Sequence, residues 1–405
     1  MGDPLGSTVR EKVCRIIEDR DQAMREDLAR HIAIPTGYNN TPGLAEYRGL
    51  LSDRLAALGA KLTMIPGVAR DNWLTPKGTV SADVPPMAVL RRETASGEAP
   101  KAMIAGHLDT VFDPAGAFRE MVVSSDGKTA NGPGVVDMKG GILIAVNALE
   151  AIAEAGADVP WTFTLNSDEE TGSYFSHSAL YDQATKHEIG IALEPALPGG
   201  ELAVERRGSG QFMVEASGRS SHAGRAFFEG RSAVYALARA LVEIEKLSDE
   251  DAGVSVNVGP LEGGIATNVV PDHAAAWGNV RYPSQGAADA LGAKMDALQT
   301  DESAMPRVVI RRSFNRPAKP LIPETEALAQ TARRVAESLG QSLPFASTGG
   351  VCDGNIMQDA GLPTIDTLGV RGGDLHRTTE WIELRSLVER SQLLATLMLE
   401  LHGID

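Results

Sequence analysis

The sequence predicts an α/β protein: an open mixed sheet with helices on its faces, interrupted by a complete βαββαβ unit. Three observations predict it. Apolar runs of strand length alternate with 12–18-residue stretches of helical periodicity. Three of those runs lead into acid or imidazole groups, His107-Leu108-Asp109, Asp168-Glu169-Glu170 and Glu194. In an open α/β sheet, ligands bind at the carboxyl ends of strands, so these groups would meet at one edge. From about Arg207 onward the order becomes strand, helix, strand, strand, helix, strand, the ferredoxin-like pattern. That unit is complete in itself and reads as an insertion. The expected boundaries are therefore 1–207 and 318–405 for one domain and 208–317 for the inserted one.

In order, apolar positions at Val13, Ile16, Ile17, Met24, Leu28 and Ile32 predict a helix over 9–33, stopped by Pro35-Thr36-Gly37. A second helix is expected over 43–58, ended by Gly59. Strands are expected at 61–65, 71–74, 87–91 and 102–106, then a long helix over 138–155. A strand at 161–166 runs into the acidic triplet, a helix covers 173–186, and a strand at 189–193 ends on Glu194-Pro195. The insertion reads as strand 211–217, helix 232–247, strands 253–260 and 273–281, helix 287–298 and strand 307–313. Pro317 and Pro320 mark the return, followed by helix 325–339, strand 363–368 and a last helix over 384–402.

Composition narrows the function. The 405 residues suffice for two domains, and 43% hydrophobic with 23% charged residues is ordinary for a globular chain. A net charge of −16 argues against a nucleic-acid surface and against an anionic membrane surface. Cys14 and Cys352 make neither a disulfide framework nor a thiolate zinc site. The first fifteen residues lack an apolar run, and no stretch approaches a membrane span. A cytoplasmic protein is expected.

The segment Gly132-Pro133-Gly134-Val135-Val136-Asp137-Met138-Lys139-Gly140-Gly141 is the centre of the chain's chemistry. Its glycines let backbone approach a ligand closely or take positive φ. An Asp two residues after His107 could present its carboxylate to the imidazole, the usual support for a metal-binding histidine. Two adjacent carboxylates, Glu169 and Glu170, are tolerable if one binds a cation and the other acts as a general base on water. Glu194 closes an apolar strand, where a charge must be paired, metal-bound or exposed. His376 and His222 each sit in glycine-containing loops. Taken singly these residues have ordinary readings too: a structural histidine, a helix-capping Asp137, a solvated acidic loop. Together, imidazole plus carboxylates suit zinc, manganese or cobalt better than calcium. If Asp137 bridges two divalent ions, Glu170, Glu194 and one hydroxide complete the charge balance. Such ions, roughly 3.5–4 Å apart, would activate water and polarise a carbonyl.

The motifs GHLDT, GPGVVDMKGG, SDEETGS, ALEPA and SSHAG, in this order over about residues 10–400, resemble those of the co-catalytic zinc aminoacylase/carboxypeptidase family. That family includes bacterial glutamate carboxypeptidase, acetylornithine deacetylase and succinyl-diaminopimelate desuccinylase. The resemblance implies a zinc-peptidase-like catalytic domain with a ferredoxin-like dimerisation domain inserted in it. It implies His107 and Glu194 on one metal, Glu170 and His376 on the other, and Asp137 as the bridge. It implies Asp109 as the partner of His107 and Glu169 as the general base. The histidine in the position of His222 reaches into the partner subunit's site and stabilises the oxyanion. Asn268, Arg281 and Arg316 fall where such enzymes bind a substrate carboxylate, and Gly349-Gly350 resembles a substrate loop. Arg377 departs from the pattern, because relatives more often place a small residue directly after the histidine.

The expected activity is hydrolysis of a C–N amide bond next to a carboxylate, of the N-acyl-amino-acid deacylase or carboxypeptidase type, by attack of a metal-bound hydroxide. The cofactor implied is zinc, one or two ions per subunit, with manganese or cobalt as alternatives. A small carboxylate-bearing substrate and a homodimer or higher homo-oligomer are expected. A rival reading keeps the site but changes the reaction to hydrolytic deamination of an aminobenzoate such as 5-nitroanthranilate, releasing ammonia. A non-catalytic binding protein on the same fold would predict damage to the base or ligands, and none is visible in the sequence.

Overall fold

A computed structural model describes residues 8–37, 39–76 and 84–405. The first seven residues, on which the expectation of no leader partly rests, lie outside that set. The main sheet has six strands in the order Lys61–Ile65, Met87–Arg92, Trp161–Asn166, Ala102–His107, Ile189–Ala192, Thr364–Ile365. The first two run antiparallel to their neighbours, and the remaining four are mutually parallel. All six residues of Ala102–His107 are buried, as a strand covered on both faces requires. Alternate side chains serve two layers. Ala88, Leu90, Ala102, Ile104, Phe163 and Leu165 join the larger core beneath Lys139–Glu154 and Arg385–Leu401. Met87, Val89, Met103 and Ala105 pack on the other face against Ala179, Leu180, Ile356 and Met357 of two short helices.

The parallel register decides where the chemistry goes. His107 pairs with Asn166, and Ala105 pairs with Ala192, so Glu194 comes level with His107 two residues on. The acidic triplet follows Asn166 directly. Four parallel strands thus deliver His107-Asp109, Asp168–Glu170, Glu194 and Asp366 to one edge of the sheet.

After Arg206 the chain leaves for a four-stranded antiparallel sheet, ordered Ser255–Gly263, His273–Tyr282, Gly208–Ser217, Arg307–Arg316. Helices Ala233–Glu245 and Gln285–Asp296 cover one face and share a separate core with Phe212, Val214, Val280 and Ile310. This is the ferredoxin-like order. The outgoing and returning segments pair at Arg206 and Lys319, whose backbone groups exchange two 2.9 Å hydrogen bonds. Both side chains are buried on Asp366, at 2.7 and 3.3 Å.

Several expected elements differ. The helix over 9–33 is two helices, Val9–Asp19 and Asp21–Ala33, broken at Arg20. The strand at 71–74 is a one-turn helix, Asn72–Leu74, in which the Trp73 indole donates back to Asp71 (3.0 Å). The helix over 173–186 contracts to His177–Ala184, because Ser173 takes φ +52° behind the Glu169–Thr171 turn. Unforeseen were the parallel pair Leu202–Arg206 and Phe345–Thr348, the helix Asp353–Asp359, and a small sheet. That sheet has the order Gly372–Gly373, Trp381–Glu383, Thr129–Asn131, Val122–Val123. Among the described residues no helix is long and apolar enough to cross a membrane.

Candidate metal centre and cleft

The small sheet builds half of the site. His376 lies in the turn joining Gly372–Gly373 to Trp381–Glu383, at φ +65°, a left-handed conformation that histidine adopts more readily than most residues. The neighbouring strand, Thr129–Asn131, leads into the Asp137 loop. Glu380 joins the two. Its side chain is wholly buried, and its Oε1 accepts the Val136 and Asp137 amides at 2.9 and 3.2 Å. Its backbone oxygen accepts from the Asn131 side chain at 2.6 Å.

Asp137 does not cap the following helix, whose N-cap is Met138. Its Oδ1 lies 3.1 Å from His107 Nε2 and its Oδ2 3.3 Å from His376 Nε2. His376 Nε2 is also 3.2 Å from Glu170 Oε2. Two donors bound to one tetrahedral zinc at about 2.0–2.1 Å stand roughly 3.3 Å apart, so these separations fit shared ions. The two oxygens of Asp137 facing different imidazoles is the arrangement of a bridging carboxylate. His107, Asp137 and Glu170 present ligand atoms within 4.8 Å of one another. Glu194 is buried close enough for its charge to act on His107.

Asp109 does more than expected, and differently. The His107 Nδ1 meets the Asp109 backbone oxygen at 3.0 Å, and the carboxylate stands off at 3.5 Å. That carboxylate instead accepts the Glu169 and Glu170 amides at 3.2 and 2.9 Å, fixing the acidic turn. Glycine serves two purposes in the central motif. Gly134 has φ +75°, whereas at Gly141 an added Cβ would stand 2.2 Å from the Leu193 carbonyl, so the helix could not approach the Glu194 strand. Lys139, also buried, donates to the His31 and Ile34 carbonyls at 3.0 and 2.6 Å and so ends the Asp21–Ala33 helix. Burial drives its pKa down to about 7.

The electrostatics call for cations. Burial, then Asp137, pushes Glu170 up to about 8, and burial, then Glu169, raises Glu194 well above the usual range. Burial raises Glu169, against the pull of Arg316. Burial opposes ionisation of Asp137, yet the two imidazoles hold it below the ordinary carboxylate range. His376 rises to about 10 through its bonds to Asp137 and Glu170. Burial lowers His107, but Asp109 and Asp137 outweigh it and raise the imidazole. Protons here substitute for metal charge, and the donor set fits divalent ions that would displace them.

Beside these groups opens a cleft of about 340 Å³ between the main sheet and the inserted one. Glu169, Glu170, Gly350 and His376 line one wall, and Gln211, Asn279, Arg281 and Arg316 the other. Arg316 is buried against Glu169, its Nη1 2.5 Å from Oε1, so both η nitrogens are engaged and it offers no free fork to a substrate. Arg281 Nη1 and Arg316 Nε are buried without a hydrogen-bond partner among the described residues. His222 and Asn268 lie elsewhere: both are exposed and adjacent, with the Ala223 amide on the Asn268 carbonyl at 2.9 Å, and neither lines the cleft. Arg377 is exposed and leaves His376 facing Asp137 and Glu170. Glu380, Asp353 and Ser173 were not foreseen as site residues. The signals in the sequence were the place of Ser173 at the end of the SDEETGS motif and the glycine-rich approach to Asp353.

The profile of peptidase family M20/M25/M40 matches residues 103–400. This chain belongs to that family. It is 25% identical over 392 residues to carboxypeptidase G2 of Pseudomonas sp. (strain RS-16), covering 95% of this chain and 90% of that one. The fold resembles aminopeptidase PepT of Bacillus cereus, with TM-score 0.72, 21% identity and coverage of 94% and 99% of the two chains. It also resembles an M20 family metallo-carboxypeptidase of Sulfolobus solfataricus, with TM-score 0.71, 14% identity and coverage of 93% and 98%. As an M20 member the protein is a metal-dependent hydrolase of peptide-type C–N bonds, and the family's inserted domain is present here.

Proposed function

We propose that this M20 hydrolase cleaves an amide bond next to a carboxylate in an N-acyl amino acid or a C-terminal dipeptide. One observation carries the reading. The carboxylate–imidazole cluster shares a cleft with two arginines that each keep a buried nitrogen without a partner. A bound carboxylate would satisfy the one on Arg281, since Arg316 is already held by Glu169 and Ser173. The side chains around it include amides, hydroxyls and arginines, with Val351 the one aliphatic residue and the Tyr174 ring beside it.

His107 and Glu194 would hold one ion, Glu170 and His376 another, with Asp137 between them. Zinc is the first choice, and manganese or cobalt the alternatives. When bound, such ions activate water and polarise the scissile carbonyl. Glu169 takes a proton from the attacking water and returns it to the leaving amine. Arg281, supported by Arg316 and the Gly350 loop, orients the substrate carboxylate. His222 and Asn268 act across a homodimer formed by the 208–317 domain, His222 steadying the oxyanion in the partner's site. Exposed Phe228, Tyr235, Val242, Leu261 and Ile265 on that domain support such a contact.

The test is a product assay. The protein is stripped with chelator, reloaded with zinc, manganese or cobalt, and offered N-acyl amino acids, glutamyl conjugates, dipeptides and substituted aminobenzoates. Amino acid release that disappears on chelation is the expected outcome. Ammonia from an aminobenzoate would establish the rival reaction, and no turnover of any carboxylate-bearing amide would overturn the proposal.

A further inference from the structure

Asp353 is a buried carboxylate outside the His107–Asp137–Glu170 group, at the first turn of the helix Asp353–Asp359. Its Oδ2 accepts from the Asn166 side-chain amide at 2.7 Å and its Oδ1 from the Ser173 hydroxyl at 2.6 Å. A serine hydroxyl has one proton. Having given it to Asp353, Ser173 can only accept on its other side, and it takes Arg316 Nη2 at 2.6 Å. Arg316 in turn donates to the Glu169 carboxylate at 2.5 Å and to the Glu169 backbone oxygen at 2.8 Å. Ser173 is fully buried and takes φ +52°, a conformation uncommon for serine and held here by its surroundings.

We propose that Asp353 is a positioning residue for the reaction. By fixing the Ser173 hydroxyl as an acceptor, it holds Arg316 on Glu169 and sets the place of the general base. The relay joins three separate parts of the chain: the turn after Asn166, the last residue of the inserted sheet, and the helix after Gly350. A carboxylate is needed, because an amide at 353 has only one acceptor oxygen for two facing donors. Asp353→Asn must either confront the Asn166 amide with a second N–H or turn an N–H toward Ser173. The proposal rests on Glu169 acting as the base.

The test uses Asp353→Asn, Ser173→Ala and their double variant, each reloaded with metal and checked for metal content and melting temperature. The kcat is expected to fall about 10²-fold with KM nearly unchanged, the scale of a misplaced catalytic group. The double variant should be slowed by less than the product of the single effects, since the two share the Ser173 link while Asp353 Oδ1 also stands 3.7 Å from Arg316 Nη2. In a crystal structure of Asp353→Asn, Arg316 should have left the Glu169 carboxylate. A lowered melting temperature with normal kcat per metal-loaded enzyme, or an Arg316–Glu169 pair unmoved in that variant, would overturn the relay. Glu169→Gln separates the two proposals: full activity in it removes the base itself, whereas its inactivity beside a normal Asp353→Asn removes only the relay.

Discussion

At the scale of single residues, each carboxylate at the site has a distinct task set by what it faces. Asp137 faces two imidazoles, Asp109 two amides, Glu380 two amides of the Asp137 loop, and Glu169 an arginine. Side-chain type alone could not have distinguished them. The same holds for His31, one of the histidines the motifs leave aside. It is wholly buried between Tyr47 (3.2 Å), Arg54 (3.4 Å) and Asp27 (3.6 Å), and burial drives its pKa down to about 4. Asp27 opposes that shift, while Arg54, Lys139 and Arg30 add to it. The unfolded chain titrates this group near pH 6.5, so between those values it binds more protons than the folded one. His31 should therefore subtract stability as pH falls from about 6.5 to about 4, by about 3 kcal/mol in full. Urea unfolding of His31→Gln across this range should show a flatter acid slope, and an unchanged slope would place the acid sensitivity elsewhere.

At the scale of elements, the site depends on how closely the helix Lys139–Glu154 can lie against the end of the strand Ile189–Ala192. Gly141→Ala would put a methyl group 2.2 Å from the Leu193 carbonyl. Relieving it moves either the Asp137 loop or Glu194. The expected result is a loss of about 1–3 kcal/mol, the usual range for overpacking, together with reduced metal content. Gly286→Ala is the control: its Cβ meets nothing within 4 Å and the position is helical, so metal content should be unchanged and stability the same or up to about 1 kcal/mol higher. Calorimetry and metal analysis on the two purified variants decide the matter. At this scale the sequence was informative wherever an element is buried on a regular pattern: Trp161–Asn166 falls on its expected bounds. It was poor for two- and three-residue strands: Gly372–Gly373 pairs only with Trp381–Glu383, and that strand is held in turn by Thr129–Asn131, far away in the sequence.

At the scale of the whole molecule, the cleft belongs to neither sheet alone. The inserted sheet supplies Arg281 and Arg316, and the Trp277 indole reaches across to the Trp73 carbonyl at 2.6 Å. His222 stands outside the cleft of its own chain, and the proposed homodimer would bring it to the partner's site. Glu169→Gln and His222→Ala homodimers should each be inactive. Mixed and allowed to exchange subunits, they should recover about a quarter of wild-type activity, because half the dimers then carry one site with both groups intact. No recovery despite verified exchange would return His222 to a surface role.

The sequence by itself determined the fold class, the inserted unit and the metal-ligand candidates. Buried strands and amphipathic helices write their periodicity locally, and the motifs keep their order along the chain. Only the tertiary structure decided how those residues divide the labour. It gave Asp137 two imidazoles, set the Asp109 carboxylate on the acidic turn as well as beside His107, turned Arg316 onto Glu169, and brought in Glu380, Ser173 and Asp353. Those contacts join residues up to 244 positions apart, as between Val136 and Glu380. No local pattern records which buried donor meets which buried acceptor. That pairing is fixed only when the strands are in register and the helices are packed.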